Sequence, residues 1–355
     1  MKFIFLIQGE GRGHLTQAIT LFELLTNNGH KVCEVFVGKS KHRNIPAYFY
    51  SKIFSPITHI DSPNFFHDPE NKGIKIFTSI IDNIIKTPTF LKNINKIKRS
   101  IKKHQADIFL NFYDLHGGLL YLFNKMKTKY YCIGHQYFFD HPSFNYPKNK
   151  KYISKILLKL HTKVTSIKAD KKLALSFYKA AHHDVKKIFV MPPLLRNDLF
   201  QVNAIKEDYI MGYILNAGYA EDLIQWHNNN KQVKLHIFWD KKSDEKTNEN
   251  IRFHTINDVK FVELLKACQG YFSTAGFESI CEAFYLGKPV LLNPVKNHFE
   301  QDCNAHDAVK SGAGIIDSQF NISKLIEFIP IYKTNTEFKK WVDSSKSKFL
   351  EILTS

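Results

Sequence analysis

The stretch KFIFLIQGEGRGHLTQAITLFELLTNNGHKVCEVFV, residues 2–37, decides the fold. Lys2–Gln8 opens with an almost unbroken apolar run, the pattern of a strand buried on both faces. Gly9–Gly13 reads as a turn. Leu15, Ala18, Ile19 and Phe22 then recur at helical spacing, and Asn27-Asn28-Gly29 gives the stop signal of a helix C-terminus. Lys31–Val37 returns as a strand. A strand–turn–helix–strand unit of this kind needs a parallel sheet with a right-handed crossover, and such sheets take ligands at their carboxyl edge.

The same alternation continues outward. Residues 76–105 read as helical, Ala106–Phe112 as a strand ending near Asp114, Lys129–Gly134 as another strand, and 151–182 as a basic, amphipathic helical region. The paired prolines in Val190-Met-Pro-Pro-Leu-Leu195 mark a linker, because proline cannot continue a helix. A second series follows. Its strands are Tyr209–Leu215, Lys234–Trp239, Gly270–Ser273 and Pro289–Leu292, with a turn at Asn216-Ala217-Gly218. Its helices begin near Ala220 and cover Val259–Cys268 and Glu278–Leu286. The expected architecture is α/β: two doubly wound, Rossmann-like domains, 1–192 and 205–335, facing a cleft. Residues 336–355 are expected as a C-terminal helix placed against the first domain. A length of 355 residues suits two such units.

Charge divides unevenly between the halves. Residues 1–200 hold 32 Lys and Arg against 13 Asp and Glu, a net +19, whereas residues 201–355 hold 18 against 20, a net −2. A basic first half fits an anionic partner such as a lipid surface, an acidic substrate or nucleic acid; it also fits a lysine-rich composition with no partner at all. A nucleic-acid role has no recognisable reading motif behind it. No apolar run reaches the roughly 18–20 residues of a membrane span, and the opening reads as a strand rather than a signal peptide. The five cysteines form no C-x-x-C pair, so free thiols in a reducing, cytoplasmic compartment are expected.

Two clusters carry chemistry. In Gly9-Glu10-Gly11-Arg12-Gly13-His14, glycines between strand and helix let a ligand approach the backbone and the helix N-terminus. The dinucleotide fingerprint would need glycine at 14, and no G-K-[ST] follows, so neither a nicotinamide cofactor nor a P-loop is indicated. His14 is a candidate general base, with Asp114 as the carboxylate that would orient it. The plain alternative is a helix-capping histidine and an aspartate in a solvated turn. The second cluster is Ser273-Thr-Ala-Gly-Phe-Glu-Ser-Ile-Cys-Glu-Ala283, then Gly287-Lys-Pro289, then Glu300-Gln301-Asp-Cys-Asn-Ala305. Its turn and Ser279 can donate to a diphosphate at a helix N-terminus, and Glu282 can accept both hydroxyls of a ribose.

Residues 273–305 resemble the donor-sugar signature of UDP-glycosyltransferases of the GT-B fold, family 1 and the MurG-like family 28, and GEGRGH resembles the first glycine loop of the same enzymes. The resemblance implies an inverting, metal-independent transfer from a nucleotide-sugar, with UDP expected, to a hydroxyl acceptor. It makes His14 the base, with Asp114 its partner, and places Gly11 and Gly13 in the acceptor-side loop. Thr274, Gly276 and Ser279 would face the diphosphate, Glu282 the ribose, and Glu300 and Gln301 the sugar. Gly218 and Ile256 would lie in the donor domain's nucleotide-gripping segments. Thr274 departs from the plant-type enzymes, which have histidine there. No cofactor and no metal are implied, and no Asp-x-Asp motif is present to hold a divalent ion on the diphosphate. A sugar-nucleotide epimerase of the same architecture is the alternative. The basic first half, with Ile153, Ile156, Leu157 and Leu160 spaced along one helix face among lysines, adds the expectation of a peripheral position on an anionic membrane. The acceptor would then be lipid-linked or part of a cell-envelope polymer.

Overall fold

The structure, a computed structural model, describes residues 1–355 apart from 40–44, 63–65, 68–73, 76–86, 149–150, 202–205, 215–216 and 242. Seven parallel strands form the first sheet: β1 (Lys2–Gln8), β2 (Lys31–Lys39), β3 (Ile57–Asp61), β4 (Ile108–Phe112), β5 (Lys129–Gly134), β6 (Lys171–Leu175) and β7 (Ile188–Met191). Their order is β3-β2-β1-β4-β5-β6-β7. Among them run α1 (Arg12–Asn27), α2 (Ala47–Lys52), α3 (Thr87–His104), α4 (Leu115–Phe123) and α5 (Tyr152–Thr165). Helices cover both faces of such a sheet, which is why Phe3 to Ile7 are all fully buried and why the strand reads as a run rather than an alternation.

The second sheet repeats the plan with β8 (Ile210–Tyr213), β9 (Leu235–Phe238), β10 (Glu245–Asn248), β11 (Ile251–His254), β12 (Gly270–Ser273), β13 (Val290–Leu292) and β14 (Gly314–Ile316). The order is β10-β11-β9-β8-β12-β13-β14, antiparallel only at the β10–β11 edge. Its helices are α6 (Ala220–Asn228), α7 (Asp258–Ala267), α8 (Phe277–Tyr285), α9 (Phe299–Lys310) and α10 (Ile322–Phe328). Strand order reverses beside β1 and again beside β8, and a crevice opens outside the strands' carboxyl ends at each reversal.

Two expectations need correction. The region 151–182 is not helical throughout: α5 ends at Thr165, Lys168 turns the chain with φ +59°, and β6 follows. Leu173, Leu175 and Phe177 alternate as a strand requires, but so short an apolar run also satisfies a helical template. The C-terminal segment is two helices, α11 (Thr336–Asp343) and α12 (Ser345–Thr354). They cross to the first sheet: the Trp341 indole donates to the Ser176 carbonyl at 3.0 Å, and α12 packs on α1 and β7. The described part of the helix expected over 76–105 is Thr87–His104; residues 76–86 lie outside the described residues, as does Asn216 of the expected 216–218 turn.

The close approach of α4 to α5 depends on Gly118. A Cβ there would lie 1.7 Å from the Val164 carbonyl oxygen, which is backbone and cannot swing aside. Gly118→Ala is therefore expected to destabilise the protein by about 1–3 kcal/mol through overpacking. Urea unfolding followed by circular dichroism checks this, and an unchanged midpoint would refute the packing account.

Candidate active site

A cavity of about 350 Å³ lies where the carboxyl edges of the two sheets face each other. That is the lower end of the roughly 300–1,000 Å³ range of ligand pockets. Of the residues singled out from sequence, Gly11, Gly13, His14, Ile256, Thr274, Gly276, Ser279, Glu282, Glu300 and Gln301 all line it. Among the described residues, Asp114 and Gly218 do not; Gly218 sits in a short 3-10 turn, Ala217–Tyr219, ahead of α6.

On the first domain's side the cavity wall is the start of α1. Gly13 gives a close approach, since a Cβ would come within 3.2 Å of the Glu278 Cβ on the opposite domain, tighter than an ordinary contact. His14 stacks against Tyr113, with ring centroids 5.9 Å apart. Its Nδ1 is buried with no hydrogen-bond partner among the described residues. Burial lowers its pKa to about 4; Gln17 and Asp114 oppose the fall and His161 adds to it. The imidazole is thus neutral at physiological pH, the form that can accept a proton.

Asp114 is not hydrogen-bonded to His14, contrary to expectation. It is the N-cap of α4: Oδ1 accepts from the His116 amide at 2.9 Å and faces His116 Nδ1 at 2.8 Å, while Oδ2 accepts from the Ser62 hydroxyl. Burial would raise its pKa, but these partners outweigh burial and hold it below the ordinary carboxylate value. Oδ1 caps the helix and Oδ2 takes the Ser62 hydroxyl; neither is hydrogen-bonded to His14, on which Asp114 acts through its charge.

On the second domain's side, β12 ends at Ser273 and the chain turns through Ala275, whose φ of +58° is unusual for a residue with a Cβ. Asn304 steadies this turn by donating to the Ala275 carbonyl at 3.0 Å. Helix α8 then starts with Gly276 as its N-cap, and a Cβ at Gly276 would meet nothing within 4 Å, so a ligand has room against the backbone. Glu282, 1% exposed, is gripped by Arg196, with Nε to Oε1 at 2.6 Å and Nη2 to Oε2 at 3.4 Å. Glu300 accepts from the Gln136 amide at 3.0 Å, and burial pushes its pKa up to about 7 against that bond. The Gln301 side-chain oxygen accepts from the Val295 amide at 2.8 Å.

Sequence reasoning missed the residues that reach across the cleft: Arg196, Gln17, Gln136 and Glu278, together with His161 and Tyr113 on the α5 side. A signal for Arg196 existed. The chain has only five arginines against 45 lysines, and two of them, Arg12 and Arg196, stand at this cavity. Arg12 pairs with Asp240 of the second domain. Guanidinium groups are the usual choice for planar, bidentate recognition of carboxylate or phosphate.

Comparisons with known proteins agree with this architecture. The fold resembles the glycotransferase of kitacinnamycin, with a TM-score of 0.65 and 14% identity over 99% of this chain and 97% of that one. It also resembles Phytolacca americana UGT2 complexed with UDP-2fluoro-glucose and pterostilbene, with a TM-score of 0.66 and 12% identity over 99% and 98%. A third likeness is to Arabidopsis thaliana UGT89C1 complexed with UDP-L-rhamnose, with a TM-score of 0.62 and 13% identity over 100% and 98%. Among curated protein sequences none matches the chain. The profile of glycosyl transferase family 1 matches residues 1–331, and the chain belongs to that family.

Proposed function

We propose that this glycosyltransferase moves a sugar from a UDP-sugar to a hydroxyl acceptor by direct displacement, with inversion at the anomeric carbon. The observation that carries the reading is that His14 and the 273–282 turn and helix, far apart in sequence, wall one cavity from opposite domains. His14 takes the proton of the acceptor hydroxyl. The N-terminus of α8, with Thr274, Gly276 and Ser279, holds the diphosphate, and Arg196, which lines the same cavity, shares its charge. Glu282 takes the ribose hydroxyls, which requires it to release Arg196. Glu300 and Gln301 face the transferred sugar, and Gly218 and Ile256 belong to the nucleotide end. No metal enters this scheme, because helix dipole and guanidinium supply the positive charge. The structural relatives include complexes with UDP-sugars and one with thymidine diphosphate, and direct titration discriminates the base.

Calorimetric titration with UDP, GDP and thymidine diphosphate should give micromolar binding of UDP that Glu282→Ala abolishes. Absence of binding by all three would remove the donor site from this reading. With an acceptor in hand, His14→Ala should lower turnover about 10²–10⁴-fold. The wild-type rate should rise with pH through His14's midpoint of about 4, since only the neutral ring accepts a proton. A rate indifferent to His14→Ala would sink the base assignment.

For the acceptor we propose a lipid-linked or cell-envelope molecule met at the inner face of an anionic membrane. Among the described residues no helix is long and apolar enough to cross a membrane. Helix α5 nevertheless leaves Tyr152, Ile153, Ile156 and Leu160 between 55% and 72% exposed, beside Lys155, Lys159 and Lys163. Leu157, expected on that face, turns instead to the cavity wall with Leu158. The apolar surface therefore runs from solvent into the site, as an acceptor with a lipid tail would need. Co-sedimentation with phosphatidylglycerol vesicles, lost on Ile153→Ser with Ile156→Ser, is the expected result. Equal recovery with neutral vesicles would count against it.

A further inference from the structure

Glu278 is a buried acid that the transfer as described does not use. It stands in the first turn of α8, 6% exposed, and lines the same cavity as His14. Its Oε2 accepts from the Gln17 side-chain amide of the opposite domain at 2.8 Å. Its Oε1 is buried with no hydrogen-bond partner among the described residues. The nearby guanidinium of Arg196 goes to Glu282, not to Glu278. An ionised carboxylate left in this state would keep a desolvated charge with a single neutral donor, an expensive arrangement. A protonated acid resolves it: Oε2 is the carbonyl that accepts from Gln17, and Oε1 carries a proton that lacks only an acceptor.

We propose that Glu278 serves the transfer as a neutral acid whose Oε1–H donates a hydrogen bond to an oxygen of the donor's diphosphate. The proton stays on Glu278 throughout, as in sites where an apolar setting keeps a carboxylic acid neutral so that it can donate. The assignment rests on the UDP-sugar reading above and adds a residue to it. A carboxylate at this helix N-terminus would repel a diphosphate, whereas the acid adds a donor to the backbone N–H groups there.

The electrostatic surroundings agree. Burial raises the Glu278 pKa well above the ordinary carboxylate value, Glu282 one turn on raises it further, and Gln17 and Arg196 only partly offset this. The Cys281 thiol on α8 feels Glu278 and is kept protonated by burial, and His14, which lines the same cavity from α1, is neutral above about pH 4. Asp307 of α9 lies further round, beside Cys281. The sign follows directly: Glu278 donates below its raised pKa and loses that ability as pH rises through it.

UDP binding needs no acceptor and gives the test. Calorimetry on wild type, Glu278→Gln and Glu278→Ala across pH should show wild-type affinity falling on the alkaline side, with proton uptake on binding once Glu278 is ionised. Glu278→Gln, whose amide can still donate, should bind within about threefold of wild type and lose that alkaline fall. The titration of UDP itself is common to both proteins and cancels in the comparison. Glu278→Ala should bind about tenfold or more weakly, the usual consequence of removing a hydrogen bond to a charged group. Persistence of the alkaline fall in Glu278→Gln would assign it to Glu300 and overturn the proposal. Equal weakening by Gln and Ala would also overturn it. Failure of wild type to bind UDP would bring down the donor reading and this inference together, a result distinct from either. The near-isosteric Gln variant keeps the test open if Ala fails to fold.

Discussion

The contact between the starts of α1 and α8 governs the rest of the molecule. Gly13 lets the two helices approach, and the Gln17–Glu278 hydrogen bond joins them within a desolvated seam. Both helices begin at the carboxyl edge of a parallel sheet, so their positive ends meet at one place. The starts of both helices line the one cavity, and His14 stands at the same place. Without this approach each domain would be an ordinary doubly wound unit with half a site.

The charge asymmetry acquires a partial meaning from the same seam. Arg12 with Asp240, Lys52 with Asp258 and Lys151 with Asp302 each join a cation of the first half to a carboxylate of the second. Such pairs are weak individually when exposed. They share one polarity, and Gln17–Glu278 and Gln136–Glu300 add two hydrogen bonds across the same cleft. Most of the surplus lysines take no part, and those on α5 stand beside the exposed Ile153 and Ile156.

Much of this was legible in the chain because the signals are local. The run Lys2–Gln8 and the spacing of Leu15, Ala18, Ile19 and Phe22 mark β1 and α1 nearly to the residue. The small-residue turn at 273–276 marks the start of α8 in the same way, since strand, glycine turn and helix are each encoded within about ten residues. The errors are equally physical. In β6 a short apolar run satisfied both periods. At Asp114 the carboxylate caps a helix and holds the Ser62 hydroxyl instead of bonding to His14.

The sequence by itself determined two parallel sheets and the edge at which a ligand would sit, along with His14, Ser279 and Glu282 as residues at that edge. Those follow from periodicity and turn chemistry, which neighbouring residues decide among themselves. Only the tertiary structure decided what each group faces: Glu282 against Arg196, Glu278 against Gln17, Glu300 against Gln136, and His14 against Tyr113 rather than Asp114. The partners in the cross-cleft pairs lie between 86 and 261 residues apart, and their meeting depends on how two separately wound domains are set against each other. No local pattern carries that angle. The ionisation of the site follows its burial, which raises the pKa of Glu278 and of Glu300.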